Sequence, residues 1–249
     1  MKKCISYSLW GDNKVYTYGM VENVLLAKEI YPEWTVRIHY NDTVPTHIIE
    51  WFKTQDNAEL IHHSGTKKKA SNTLWRFEDM FTDWTVIVRD SDSRLNIREK
   101  AAVDEWLEST KDFHIMRDHQ HHTVPIIAGA FGCRNNSCKY LSFPNNSGNY
   151  NRCPIDFVEG KHVFDTFIRQ LDDRDDYYMI DQKFLYHYVY PHVVLQSMVH
   201  ASYNAYEPFA KQFPDTLYTG FVVEVITSAP DASRIFNDTE TEFERVGHY

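Results

Sequence analysis

The chain has 249 residues, a formal net charge of -9, and 16 Tyr, 15 Phe and 6 Trp among its 43% hydrophobic residues. This composition favours a folded protein over a disordered one, and the acidic balance argues against broad, sequence-independent adhesion to nucleic acid. Length and composition together predict one folded domain that spans residues 1–249.

The absence of long apolar stretches and the pattern of cysteines bear on the cellular compartment of the protein. No stretch approaches the roughly 20 apolar residues that span a bilayer, and the first residues, MKKCIS, lack the apolar core of a signal peptide. The cysteines contain no CxxC pair and lie at positions 4, 133, 138 and 153. We therefore expect reduced thiols in a cytoplasmic protein without a membrane span.

Hydrophobic periodicity predicts alternating strands and helices in the first half of the chain. The predicted strands cover residues 3–9, 34–40, 59–62, 85–89 and 113–116, and the predicted helices cover 18–31, 46–54, 73–80 and 96–109. This alternation predicts an α/β fold with an open, mostly parallel mixed sheet flanked by helices. In such a sheet, ligands bind beyond the carboxyl ends of the strands.

The second half is less regular. Residues 126–132 are small and apolar, as expected where a backbone passes close to a ligand or another element. Residues 134–160 are rich in Asn, Ser, Gly and Pro and predict a long loop. Helices are predicted over 163–171 and 181–188, and the polar tail after residue 228 is predicted to be partly loose.

One predicted strand runs directly into two aspartates. The hydrophobic run 84–89 is typical of a strand buried on both faces, and Asp90 and Asp92 follow it. Bare carboxylates are costly to bury. A hard divalent cation, Mn²⁺ or Mg²⁺, prefers oxygen ligands and leaves positions open for phosphate oxygens. The pair therefore predicts a metal site for a nucleotide diphosphate.

A resemblance to a known class rests on three segments between about residues 74 and 133. They are Arg89-Asp-Ser-Asp-Ser-Arg94, Phe113-His-Ile-Met-Arg-Asp-His119 and Gly129-x-x-Gly132. Through them the chain resembles a set of phage, viral and bacterial glycosyltransferase-like proteins. Through more scattered motifs it also resembles the nucleotide-sugar glycosyltransferases of the GT-A fold, and within that class it is most similar to the glycogenin and bacterial galactosyltransferase group.

The resemblance implies roles for residues on the donor side. Asp90-Ser-Asp92 matches the DxD motif, whose metal bridges both carboxylates and the donor phosphates. Asp12 and Asn13, followed by Tyr16, resemble the nucleobase site, where Tyr16 would stack on the base. Arg76 is similar to a basic residue that contacts the donor phosphates and sugar.

The resemblance and the chemistry of the diphosphate imply roles for four further residues. Arg94 would add hydrogen bonds to the diphosphate. Asp181-Gln182 resembles the pair that faces the sugar and the acceptor, and His200 matches a third metal ligand. The family's histidine is followed by Gly and then Lys-Pro, whereas this chain has His200-Ala-Ser-Tyr203. That departure weakens the assignment of His200.

The resemblance predicts a metal-dependent glycosyltransferase that moves a hexose or pentose from a nucleotide-diphosphate sugar, with a UDP-sugar as a candidate donor. Residues 1–125 would bind the nucleotide sugar and metal, 126–228 would form the acceptor side, and 229–249 would be a tail. Asp181-Gln182 favours retention of configuration. Inversion would need a general base, for which Asp118, Asp156 and Asp181 are candidates.

Several alternatives stay open. The acceptor could be a glycan, a lipid-linked sugar, a protein or a modified base of phage DNA, although the acidic charge disfavours nucleic acid. A viral origin would place the protein in the host cytoplasm. A nucleotidyltransferase, a metal-dependent phosphohydrolase and a non-catalytic nucleotide-sugar-binding protein are the competing functions. The run His119-x-His121-His122 is interpreted as a loop lining the sugar or acceptor pocket rather than as a zinc site.

Overall fold

The computed structural model describes residues 2–67, 69–139, 141–144, 157–171, 178–214 and 232–236. Its strands are β1 (Lys3–Leu9), β2 (Thr35–Asn41), β3 (Ala58–His63), β4 (Thr85–Val88), β5 (Phe113–Arg117), β6 (Phe131–Cys133), β7 (Ser142–Pro144), β8 (Phe157–Glu159) and β9 (Ser197–Ala201). Its α-helices are α1 (Lys14–Ile30), α2 (Thr46–Lys53), α3 (Ile97–Glu108), α4 (Gly160–Gln170), α5 (Ile180–Phe184), α6 (Tyr190–Val193) and α7 (Ala232–Ile235). A long 3-10 helix covers Ala70–Phe81, a π turn covers Leu185–Val189, and a short 3-10 turn covers Val194–Gln196.

Seven strands form one sheet in the order β3-β2-β1-β4-β6-β5-β9. All neighbouring pairs are parallel except those of β6, which runs antiparallel to both β4 and β5. The predicted α/β fold with an open, mostly parallel mixed sheet flanked by helices is confirmed. The chain moves outward from β1 to β3 and then returns to place β4 on the other side of β1. A crevice is expected at the carboxyl ends of β1 and β4, because the strand order reverses there.

Side chains of the central strands alternate between two cores, as the period of a strand requires. In β4, Val86 and Val88 join one hydrophobic cluster, whereas Ile87 joins the other. The first cluster includes Phe77 of the 3-10 helix, and the second includes Val24 of α1. All four residues of β4 are buried. The apolar run before the aspartates is therefore a strand covered on both faces.

The 3-10 helix Ala70–Phe81 replaces the α-helix predicted over 73–80, and its hydrogen bonds to β1 explain the difference. The Ser6 hydroxyl lies 2.9 Å from the Arg76 carbonyl oxygen, and the Arg76 amide donates to the Ser8 hydroxyl at 3.0 Å. The Ser8 hydroxyl thereby satisfies the Arg76 amide, which an α-helix would pair internally. The position of Arg76 is thereby fixed against the central strand β1.

Other boundaries also differ from those predicted. Helix α1 begins at Lys14 rather than at residue 18, because Asn13 caps it by accepting a hydrogen bond from the Val15 amide at 3.0 Å. The predicted loop 134–160 is wrong in part, since β7 and β8 pair within it. The helix predicted over 181–188 is regular only in α5. Residues 145–156 lie outside the described residues.

Strand β9 and helix α7 are among the elements that have no counterpart among the predicted ones. Strand β9 is short, and two of its buried residues, Ser197 and His200, are polar, so it has no strong strand pattern. In the polar tail, α7 is followed by Phe236, whose ring stacks on Tyr18 of α1 at 5.5 Å between centroids. Within the described ranges, no helix combines the length and apolarity that crossing a bilayer requires.

Candidate active site

Residues after β1, residues after β4 and residues from the second half of the chain meet at the carboxyl edge of the sheet. Tyr16 lies in the first turn of α1, Asp90 and Asp92 follow β4, and Asp181 lies in α5. Arg76 of the 3-10 helix joins Asp90 to Asp181. The structure therefore brings together five of the predicted site residues.

Arg76 lies between two carboxylates that are 91 positions apart in the sequence (181 − 90). Its Nη1 donates to Asp90 Oδ1 and to the Arg89 carbonyl, and its Nη2 donates to Asp181 Oδ2 at 2.7 Å. The Arg76 side chain is 4% exposed, Asp181 is 9% exposed and Asp90 is 41% exposed. Burial lowers the pKa of Arg76, but the charges of Asp90 and Asp181 outweigh it and raise the pKa above its ordinary value.

Tyr16 faces the aspartate pair. Burial raises the pKa of its phenol, and the negative charge of Asp92 and then that of Asp90 raise it further. The ring remains 38% exposed, so one part of it is accessible to a ligand. The neighbouring Asp12 is exposed, whereas Asn13 uses its side-chain oxygen to cap α1. Of the three residues predicted to contact the nucleobase, Tyr16 is the one whose ring is both accessible and near the aspartate pair.

Helix α1 holds the loop that carries Asp92. The Asn23 amide donates to the Ser93 carbonyl at 2.7 Å, and its oxygen accepts from the Leu95 amide at 3.0 Å. Asn23 is fully buried. Sequence reasoning missed this residue, although a polar side chain beside the apolar stripe of a predicted helix is a signal that such a contact exists.

Gly19 allows α1 to approach the same loop closely. A Cβ atom at Gly19 would lie 2.3 Å from the Ser91 carbonyl oxygen and 2.7 Å from Arg94 Nη1. Real Cβ atoms do not approach a backbone oxygen so closely, hence either α1 or the loop would have to move. This close contact sets the distance between α1 and the loop that carries the aspartates.

We expect Gly19→Ala to destabilise the protein. Helix propensity alone predicts the opposite, a gain of about 1 kcal/mol. Overpacking costs about 1–3 kcal/mol, and here the contact is with backbone. Urea unfolding measures the free energy directly. A variant more stable than the wild type would show that α1 and the loop are not in contact.

Arg94 contacts α1 and the loop that carries the aspartates. Its Nε donates to Glu22, whose side chain is 9% exposed, and its Nη1 donates to the Ser91 carbonyl at 3.3 Å. The guanidinium therefore ties the loop to α1. This arrangement does not support the predicted contact of Arg94 with phosphate, because the buried charge of Glu22 already holds it.

Gln182 anchors the segment that precedes β6. Its side-chain oxygen accepts from the Ala128 amide at 3.0 Å, and its side-chain nitrogen donates to the Ile126 carbonyl. A Cβ atom at Gly129 would lie 1.8 Å from Asp90 Oδ2. The backbone thus passes directly over Asp90, as predicted for 126–132. Gln182 positions this backbone, and its geometry does not support the predicted contact with the sugar.

His200 does not lie with the aspartate pair. Its Nδ1 is 2.8 Å from His114 Nε2, and its Nε2 is 3.0 Å from Glu105 Oε2, so both ring nitrogens have protein partners. Among the described residues, Asp90, Asp92 and His200 form no group of three with ligand atoms close enough to share an ion. The prediction of His200 as third metal ligand is therefore not supported.

The candidate general bases have different surroundings. Asp118 accepts two hydrogen bonds from Arg98, at 2.6 and 2.9 Å, so its charge is already paired. Asp156 lies outside the described residues. In the histidine run, burial lowers the pKa of His122 to about 4, while the charges of Asp118 and Asp90 act to raise it. His122 therefore lies on the aspartate side of the sheet.

A buried ion pair fixes the neighbouring wall of the crevice. Arg117, at the carboxyl end of β5, is fully buried and pairs with Glu207, which also accepts from the Tyr190 hydroxyl at 2.7 Å. Arg117 Nε donates to the Asn204 carbonyl at 2.7 Å. Sequence reasoning missed this pair because its members are far apart in the chain.

The possible metal-ligand atoms at this edge of the sheet suit a hard cation. Asp90 and Asp92 offer oxygens alone, which Mg²⁺ and Mn²⁺ prefer. Asp90 is partly exposed, which leaves it accessible from solvent. Arg76 Nε is buried without a hydrogen-bond partner among the described residues, and an oxygen of a bound ligand would satisfy such a donor.

Comparison with known proteins finds distant structural similarity. No family model and no curated protein matches the chain. It is similar to a solved structure of S. aureus TarS 1-349, at 14% identity and a TM-score of 0.37, over 71% of this chain and 53% of that one. It is also similar to a glycosyltransferase involved in the glycosylation of the major capsid of PBCV-1, at 14% identity and a TM-score of 0.36, over 81% of this chain and 82% of that one. The chain thus spans about half of the TarS chain. Both TM-scores lie below 0.5, so the matches assign neither activity nor substrate.

Proposed function

We propose that the chain is a metal-dependent glycosyltransferase that uses a nucleotide-diphosphate sugar. One observation carries the proposal: Arg76 joins Asp90 and Asp181 at the carboxyl ends of β1 and β4, with Tyr16 and Asp92 beside them. These residues combine a cation-binding pair, a buried guanidinium and an aromatic ring. A sugar nucleotide offers a partner to each, because it contains a diphosphate, a sugar and a base.

The proposed chemistry divides among the residues. A divalent cation held by Asp90 and Asp92, Mn²⁺ or Mg²⁺, would stabilise negative charge on the departing diphosphate as a Lewis acid. Arg76 would donate charge-assisted hydrogen bonds to the same oxygens. Asp181 would stabilise the oxocarbenium-like carbon of the sugar, as a carboxylate does in glycoside hydrolysis. Tyr16 would stack on the base.

Arg76 would also have a role in the free protein, before the nucleotide sugar binds. Its guanidinium neutralises Asp181, which would otherwise be a buried, unpaired charge. Charge on the bound diphosphate would compete for the same hydrogen-bond donors. Binding of the donor is therefore proposed to loosen the contact of Arg76 with the aspartates, which would leave Asp181 able to act on the sugar.

A thermal-shift screen tests donor binding. Nucleoside diphosphates and nucleotide sugars, with UDP-sugars first, are added with and without Mn²⁺. A ligand at 100 times its Kd stabilises the folded protein by about 2.7 kcal/mol. We expect a rise in melting temperature that needs nucleotide and metal together. If no diphosphate nucleotide stabilises the protein in the presence of metal, the donor site is wrongly assigned.

Product analysis separates the competing functions. A glycosyltransferase releases a nucleoside diphosphate, and the amount released depends on the acceptor that is supplied. A nucleotidyltransferase releases pyrophosphate, and a phosphohydrolase releases a nucleoside monophosphate or a sugar phosphate. A binding protein releases nothing. Candidate acceptors are glycans, lipid-linked sugars, proteins and modified DNA, tested in parallel with the donor that gives the largest thermal shift.

A further inference from the structure

A second cluster of ligand-type side chains lies at the edge of the sheet formed by β2 and β3. His39 is on β2, His63 ends β3, and Glu78 is on the 3-10 helix. None of these residues takes part in the candidate active site. The ligand atoms of all three lie within 4.8 Å of one another, and no other such group occurs among the described residues.

The three side chains converge at short range. His39 Nδ1 lies 3.0 Å from His63 Nε2. Glu78 Oε2 lies 3.9 Å from each of these nitrogens. Two nitrogens bound to one tetrahedral Zn²⁺ are about 3.3 Å apart, given Zn–N bonds of about 2.0–2.1 Å. Shifts well below 1 Å would therefore bring the atoms to coordination distance.

His39 is held in the orientation that a metal ligand needs. Its Nε2 lies 3.0 Å from Asp79 Oδ2, and an ionised carboxylate only accepts, so Nε2 carries the proton. The other ring nitrogen, Nδ1, then presents a lone pair to His63 and Glu78. In metal sites, a bound imidazole usually donates its other ring N–H to a carboxylate in this way.

Asp79 is itself held by two further residues. Its Oδ2 accepts from the Ser6 hydroxyl at 2.7 Å, and its Oδ1 accepts from Arg37 Nε at 3.0 Å. Asp79 and His39 are each 1% exposed. The residues that support His39 are therefore buried and fixed in position. A chance contact between surface histidines would not need such support.

The other two side chains retain access to solvent. The His63 ring stacks on Trp75, with centroids 4.5 Å apart and planes 5° apart, and its side chain is 20% exposed. Glu78 is 37% exposed and lines a cavity of ≈ 190 Å³ together with Trp75 and Leu171. An ion and its water could enter from this side.

We propose that His39, His63 and Glu78 form a second cation site, with Zn²⁺ as the best-matched ion. Two imidazole nitrogens and one carboxylate oxygen suit Zn²⁺, whereas Mg²⁺ and Mn²⁺ prefer oxygen ligands alone. Three protein ligands leave a further position for water. The site would thus differ in ion preference from the aspartate pair, and it does not depend on the proposed glycosyl transfer.

Zn²⁺ at this position would connect β2, β3 and the 3-10 helix. Asp79, which supports His39, lies three positions after Arg76 in that helix (79 − 76). The ion would therefore stabilise the fold and would also hold the segment that carries the central arginine of the candidate active site. Loss of the ion would lower thermal stability.

The test uses the full chain after treatment with a chelator. Isothermal titration with Zn²⁺ should give one site, and the visible bands of added Co²⁺ should be those of a four-coordinate ion. Glu78→Gln and His63→Ala should raise the Kd for Zn²⁺ by more than about 100-fold. Loss of a residue that only supports a metal ligand already weakens metal binding by about 10–100-fold. Circular dichroism confirms that each variant is folded.

Two controls make the result specific. His62→Ala removes the neighbouring histidine, which pairs with Asp42 instead, and should leave the Kd for Zn²⁺ unchanged. Asp92→Asn should also bind Zn²⁺ normally, which separates this site from the aspartate pair. Absence of stoichiometric binding to the wild type, or binding that survives in both folded ligand variants, would overturn the proposal.

Discussion

Asp92→Asn is expected to lower turnover of the nucleotide sugar by about 10²–10³-fold, the usual cost of removing one group that stabilises transition-state charge. The substitution keeps the shape of the side chain but removes the charge that a hard cation requires. Asp92 is the better position to change, because neutralising Asp90 would also weaken its ion pair with Arg76. Initial rates measured over a series of Mn²⁺ concentrations report the effect.

The control for this variant is Asp104→Asn. Asp104 is a half-exposed carboxylate on α3 that pairs with Lys100 four residues earlier, outside the crevice. It should show the wild-type rate and the wild-type dependence on metal. The thermal shift caused by nucleotide plus metal should disappear in Asp92→Asn alone. Undiminished turnover by the folded Asp92 variant would rule out the assigned role of the pair.

Arg76→Met is expected to reduce both stability and activity. It leaves Asp181 buried without its partner, and removing one member of a buried ion pair costs about 3–5 kcal/mol. Asp90 loses the same partner but is 41% exposed, so water can solvate it. We expect the free energy of unfolding to fall by that amount, measured in urea, and turnover to fall by about 10²-fold or more.

A double variant separates the two effects. Arg76→Met combined with Asp181→Asn removes the buried unpaired charge and should recover much of the lost stability without recovering turnover. The exposed Arg169 on α4 provides the control, since Arg169→Met should change neither quantity measurably. Asp181→Asn alone is the reference for turnover, because Asp181 has a proposed catalytic role of its own. If the double variant turns over as fast as Asp181→Asn, Arg76 has a structural role only.

The sequence predicted the parts of this protein that depend on local pattern. The apolar run before Asp90 identifies a strand buried on both faces because burial of every position leaves a continuous hydrophobic signature. The start of α3 was likewise readable: the predicted helix begins at residue 96, and the Asn96 side chain caps α3 by accepting from the Glu99 amide at 2.9 Å. These signals extend over a few residues.

The partners of charged side chains could not be predicted in the same way. Arg76 and Arg94 flank the same aspartates in sequence, yet one faces Asp90 and Asp181 and the other is held by Glu22. Nothing local distinguishes them, because the choice depends on how α1 packs against the loop. Likewise, the hydrogen bonds of His200 to His114 and Glu105 follow from the pairing of β5 with the unpredicted strand β9.

The reversed direction of β6 has a consequence for how this protein could diversify. Because β6 runs opposite to β4 and β5, the connection from β5 to β6 starts and ends at the same edge of the sheet. Residues 118–130 therefore begin and end at the edge of the sheet where Asp90 lies, and the Gly129 backbone contacts Asp90. Insertions or deletions in this connection would change the surroundings of Asp90 without altering any strand register. We expect homologues to differ most in length here.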